Sequence, residues 1–182
     1  MADDLLGTAS YQANPRGPQP DFRASRFAAV AAGLGRLMQT GGVWTPEHGP
    51  DCMFISIVTD APLESSLPMR EPPPCANCDA MPCIAACPTC ALATETVEVT
   101  VSGQTERIGR LDWLRCEWAK RYGLVGDAGP RWIGSQTNIL PPAGPLTIEQ
   151  VAEAYAQLDP VQKHWMCIVE PCLRACHLHT RR

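Results

Sequence analysis

Apolar residues recur at three- and four-residue steps between Ala24 and Met38, where Phe27, Val30, Ala31, Leu34 and Leu37 share one face. That period predicts a helix over 24–38, weakened near its end by Gly33 and Gly35 and stopped by Gly41-Gly42. Val43-Trp44-Thr45 then starts a strand, and Pro46 to Pro50 is a turn by composition. The apolar run Met53 to Val58 reads as a buried strand ending at Thr59-Asp60-Ala61-Pro62. Residues 64–74 form a linker rich in Ser and Pro and closed by Pro72-Pro73-Pro74, the clearest boundary in the chain. Beyond it Val97 to Val101 alternates, Ser102-Gly103-Gln104 turns, and Thr105 to Ile108 pairs back as a hairpin. Asp112 to Tyr122 reads as a helix carrying Cys116, and Gly123 to Pro145 as loop. Thr147-Ile148-Glu149-Gln150 has the form of a capping box. It opens a helix with Ile148, Val151, Ala152, Tyr155 and Leu158 on one face, and Pro160 ends it. Residues 1–22 show no apolar period and read as a flexible tail.

These elements predict the α+β class. A small helix-and-strand lobe over 23–67 precedes a loop-rich domain over 75–182. The 182 residues suffice for one medium domain or two small ones. A net charge of −4 argues against a nucleic-acid-binding surface. No stretch approaches the length of a membrane span, and the first residues lack the basic and apolar regions of a secretory signal. The expected location is therefore cytoplasmic. Ten cysteines change the picture most. In a reducing compartment thiols at this density point to metal rather than to a disulfide framework.

Five of the ten fall in the sixteen positions after the linker. Cys75, Cys78, Cys83 and Cys87, followed by Pro88, are spaced C-x2-C-x4-C-x3-C-P. The bacterial ferredoxin run is C-x2-C-x2-C-x3-C-P, in which three cysteines wrap one cluster and the fourth reaches another. Pro88 suits the start of the next turn of chain, having no N–H to lose. That logic demands a second half. Cys116 stands alone on its predicted helix, and Cys167, Cys172 and Cys176 close the chain. Exchange of the last members predicts one [4Fe–4S] cluster on Cys75, Cys78, Cys83 and Cys176. A second would sit on Cys87, Cys116, Cys167 and Cys172. Cys52 and Cys90 are left over, Cys52 as a small buried hydrophobe beside the apolar strand.

Zinc is the competing reading, because Cys75/Cys78 and Cys87/Cys90 are two CxxC pairs. It leaves Cys83 and the three last cysteines idle and does not account for Pro88. His164, His177 and His179 lie near the last cysteines, but eight thiolates already suffice and these read as surface residues. Trp113, Trp118, Trp132 and Trp165 flank the ligand segments and read as core that keeps water off the clusters. No P-loop, dinucleotide fingerprint or hydrolytic triad is present.

Two stretches together resemble a known family. One runs Ala32-Gly33-Leu34-Gly35, then Gly41, Thr45 to Pro50, and Ile57-Val58-Thr59-Asp60-Ala61-Pro62-Leu63. The other is the cysteine run with lone Cys116 and the closing triplet. Their order is similar to the C-terminal portion of epoxyqueuosine reductase and its relatives, the cobalamin-dependent reductive dehalogenases. The resemblance covers about residues 24 to 176. It implies the end of a cobalamin-binding domain followed by a double-cluster ferredoxin-like domain that feeds electrons to cobalt. It marks Gly33, Gly35, Thr59 and Asp60 as a remnant corrinoid-facing surface, with packing and turn roles as the plain reading of the same residues. The chain departs from the family at Met38 and Gln39, where relatives carry Gly and Lys, at Cys90, and in the first gap of the last triplet. His177 also stands where relatives have Pro. The family's N-terminal half, with the acid that protonates substrate, has no counterpart before Ala24, so no catalytic residue is carried over. The expected function is electron transfer through two [4Fe–4S] clusters to a redox partner or catalytic subunit. A cobalamin-dependent reductase with a truncated N-terminal half and a zinc-stabilised structural module are the alternatives.

Overall fold

The computed structural model describes residues 23–57, 59–72, 75, 78–161 and 170–176. The first helix, α1, runs Arg23–Ala31 and is shorter than its apolar period predicts. Gly33 ends it. With φ at +74° it takes the left-handed conformation that L side chains resist. There Gly33 N–H donates to Val30 O and Leu34 N–H to Ala29 O, the paired bonds of a Schellman cap. The chain then turns into β1, Arg36–Leu37, which pairs antiparallel with β2, Val43–Trp44. So the predicted 24–38 helix is corrected over residues 32–38, nearly half of its length. Leu37 and Met38 are buried as expected, but from a small sheet, and Leu34 is half exposed.

The predicted strand over 53–58 is also corrected. Among the described residues, 51–57 belong to no strand, and Val58 lies outside them. Met53, Ile55 and Ile57 are 86%, 80% and 78% exposed. An apolar run is buried as a strand only when a sheet offers it a partner. Here it crosses the surface as a strap, with Phe54 alone packed against the neighbouring core.

Past the linker come the short helix α2, Pro82–Ala85, and a hairpin of β3, Leu92–Val101, with β4, Gln104–Leu111. The hairpin is longer than its alternating residues predict, with an irregularity in register between Leu92 and Thr96. Ser102 and Gly103, both at positive φ, make the tight turn. Next is α3, Trp113–Lys120, capped by Asp112, whose side chain accepts from Arg115 N–H. Two 3-10 turns follow at Gly126–Ala128 and Pro130–Ile133, then α4, Ile148–Ala156, and α5, Pro171–Arg174. The predicted capping box opens α4: Thr147 N–H donates to Gln150 Oε1 at 2.9 Å and Gln150 N–H to Thr147 Oγ1 at 3.3 Å. The mixture of helices and small antiparallel sheets is α+β. Among the described residues no helix is long and apolar enough to cross a membrane.

Two apolar cores hold these elements. Val30, Leu37 and Val43 of the first lobe share one core with Val101 and Ile108 of the β3–β4 hairpin. The second gathers Trp118, Tyr122, Leu124, Val125, Val151, Tyr155 and Leu158. Here Trp118 Nε1 donates to Ile139 O at 2.7 Å, and the Tyr122 and Tyr155 rings meet edge to face. The cysteine-bearing helices α2 and α5 pack on one another.

One buried ion pair joins the first lobe to the hairpin. Arg36 Nε donates to Glu106 Oε1 at 2.6 Å, with Glu106 wholly buried. The same guanidinium donates to the carbonyls of Arg70 and Glu71. The linker is thereby fastened a few residues before Cys75.

Candidate metal centre

Four of the eight cysteines assigned from spacing line one cavity. Cys75, Cys78, Cys83 and Cys176 face it together, along with Met38, Gln39 and Thr40. The space measures about 410 Å³ including its opening to solvent. Each side chain arrives by a different route. The linker clamp delivers Cys75, and Cys78 N–H donates back to Cys75 O at 3.1 Å to close the first turn. Met81, at positive φ, reverses the chain so that Pro82 can open α2, which places Cys83 one residue in. Cys176 follows the last turn of α5, where its N–H donates to Leu173 O at 3.0 Å. The fourth wall is the β1–β2 turn, from which Gln39 N–H donates to Cys75 Sγ at 3.3 Å.

Burial is the main force on these thiols. It pushes Cys75 and Cys83 up from the ordinary cysteine value. The Gln39 N–H at Cys75 and the Ile84 N–H at Cys83 oppose it, and the charges of Cys176 and Cys78 reinforce it at both. Cys176 and Cys78 thus act electrostatically on both Cys75 and Cys83.

The second assigned set is represented by Cys87, Cys116 and Cys172; Cys167 lies outside the described residues. Cys116 sits on α3 and Cys172 on α5, and each raises or is raised by its neighbours. Burial pushes Cys116 to about 12, with Glu117, Glu170 and Cys172 adding and Lys120 opposing. Burial likewise pushes Cys172 to about 12, helped by Glu170 and Cys87 and opposed by the Leu173 N–H and Lys120. Cys87 Sγ accepts from Ala91 N–H at 3.2 Å. Glu170 is held by Lys120 and by Arg26 at 3.8 Å, so the charge beside these thiols is balanced. Arg115 fixes the approach to this set by donating to Thr89 O at 3.1 Å and to the Pro142 and Gly144 carbonyls at 2.7 Å each.

The two spare cysteines stand apart. Cys90 is exposed with φ at +52°, its N–H on Cys87 O at 3.2 Å. Cys52 is half-buried, 3.7 Å from Thr45 Oγ1. Among the described residues no group of three or more His, Cys, Asp or Glu side chains is gathered so as to hold a single metal ion.

The other sequence-derived candidates have local explanations. Gly33 forms the α1 cap, and a Cβ there would come within 2.1 Å of Leu67 O. A Cβ at Gly35 would come within 2.1 Å of Trp44 O. Both glycines are therefore required by chain packing. Thr59 Oγ1 accepts from Ala61 N–H at 3.1 Å as part of a turn, and Asp60 is exposed on the strap. Trp118 is core, as expected, but Trp132 is exposed, with the Arg174 guanidinium 4.3 Å above its ring. His164, Trp165, His177 and His179 lie outside the described residues. Sequence reasoning missed Gln39 and Thr40 as cavity residues. Nothing local signals them, because the β1–β2 turn brings them to the cavity, with Gln39 reaching Cys75 across 36 positions.

Compared with known proteins, the chain matches no family model, no curated protein and no solved structure.

Proposed function

We propose that this chain is an iron–sulfur electron-transfer protein. Cys75, Cys78, Cys83 and Cys176 would hold one [4Fe–4S] cluster, and Cys87, Cys116, Cys167 and Cys172 the other. One observation carries the reading. Cys176, a hundred residues along the chain, lines the same cavity as the Cys75–Cys83 run, as the exchange of last members between two triplets requires. The packing of α2 on α5 is the element-level form of the same exchange.

When bound, the two clusters supply one-electron storage and relay. The chain's own residues do the rest. The cysteine sulfurs anchor, the Gln39 N–H donates to Cys75 Sγ and the Ala91 N–H to Cys87 Sγ, and Met38 and Pro82 exclude water. Electrons would pass to a reductase or catalytic subunit. In keeping with the resemblance to the epoxyqueuosine reductase family, the place of action would be the cytoplasm. Packing accounts for Gly33 and Gly35 without a corrinoid.

The test is iron and acid-labile sulfide on anaerobically purified protein. About eight of each per chain supports both clusters. About four would remove the second set from the assignment. Zinc in place of iron would make the chain a structural module and overturn the redox reading.

A further inference from the structure

We propose that Gln39 touches the cluster assigned to Cys75, Cys78, Cys83 and Cys176 and raises its reduction potential by donating hydrogen bonds; the inference rests on the cluster reading above. Three observations meet at this residue. Its main-chain N–H donates to Cys75 Sγ at 3.3 Å. The residue forms part of the wall of the cavity that the four cysteines share. Its side-chain nitrogen is buried and, among the described residues, has no hydrogen-bond partner. A buried amide donor without an acceptor is costly, and native chains rarely leave one so. The sulfur atoms of a cluster held in that cavity are the acceptors that would satisfy it.

The donor is also fixed in position. Gln39 sits in the β1–β2 turn, where Met38 N–H donates to Gly42 O and Gly41 N–H to Met38 O, both at 2.8 Å. Its carbonyl accepts from Gly109 N–H on β4 at 2.8 Å. A Cβ at Gly109 would come within 2.8 Å of that carbonyl oxygen and 3.0 Å of the side-chain nitrogen. The glycine therefore leaves the room that the amide occupies. Two elements hold Gln39 against the cysteines without any metal ligand taking part.

The consequence is electrostatic. Reduction adds one electron, and so one negative charge, to the cluster and its thiolates, with no bond made or broken. A hydrogen-bond donor favours the more negative state and shifts the potential upward.

The experiment is an EPR-monitored redox titration of the full chain, purified anaerobically with its iron. Gln39→Leu keeps the main-chain N–H and loses the amide. It is expected to retain wild-type iron, to move one midpoint to a more negative value and to leave the other in place. Gln39→Lys keeps a donor, adds positive charge and is expected to move the same midpoint the other way. Opposite signs at equal iron content are not what a merely structural residue produces. Wild-type iron with both midpoints unmoved in Gln39→Leu overturns the inference. If Gln39→Leu fails to hold iron, Gln39→Lys decides, and a midpoint at or below the wild-type value overturns it. Wild-type protein that carries no iron overturns the cluster reading itself, so the two failures are told apart.

Discussion

A thiol becomes a ligand only once its proton has left, and burial opposes that step at Cys116 and Cys172. Both are pushed from 9.0 to about 12, so each gains thiolate character tenfold per pH unit at any pH below that value. Metal entry must expel these protons. Iron incorporated at fixed iron and sulfide is therefore expected to rise as pH goes from about 7 to about 9. An incorporation that stays level, or falls, across that window would count against these two as ligands. Single substitutions separate the ligands from the spare thiols. Cys83→Ser is expected to cut iron from about eight to about four per chain, whereas Cys90→Ser and Cys52→Ser leave it unchanged. Loss of iron in Cys90→Ser would place Cys90 among the ligands and overturn the assignment of the eight. At this scale the sequence is most readable where chemistry is written in spacing. The distances between Cys75, Cys78 and Cys83 pointed to a shared site, and all three line one cavity. Gln39 was unreadable because its relation to Cys75 is made by the turn that carries it, not by any repeat in the residues around it.

Among the elements, local signals were faithful where a helix or hairpin settles its own hydrogen bonds. The Thr147 capping box opens α4 as its four residues predict. The Ser102-Gly103 turn closes the hairpin where the alternation breaks. The period over 24–38 misleads because a hydrophobic stripe says which face is buried, not how far a helix runs. Leu37 fits the stripe and is buried, yet it lies in β1 beyond the Gly33 cap. Gly33→Ala tests that cap. The left-handed backbone alone costs at least about 1 kcal/mol, and the new methyl would lie 2.1 Å from Leu67 O. A clear fall in melting temperature is expected, and an unchanged one would mean the chain can leave the helix by another path.

For the molecule as a whole, the buried pair of Arg36 and Glu106 is where the first lobe, the linker and the hairpin are tied. Glu106→Ala strands the Arg36 guanidinium in the interior, a change that costs about 3 to 5 kcal/mol when one partner of a buried pair is removed. It also frees the fastening of residues 70–71 ahead of Cys75. Iron at the first set of cysteines is expected to fall with the melting temperature, while retention of full stability in thermal unfolding would sink the tie. No feature of composition announced this pair, since Arg36 and Glu106 are ordinary charged residues 70 positions apart until the fold makes them neighbours. The strap has the opposite character: its residues were conspicuous in the sequence, and the fold leaves them bare. Phe54, Ile55 and Ile57 are strong strand formers that, among the described residues, belong to no sheet, a template onto which another chain's strand can add. Asp60, Pro62 and Glu64 follow at once and act as gatekeepers, capping such growth at one end. Ile55→Lys is expected to suppress thioflavin-positive material in concentrated stocks without changing iron content; equal fibril yield would clear the strap. The colloidal behaviour of this protein would then be governed by a few bare residues outside both assigned cysteine sets.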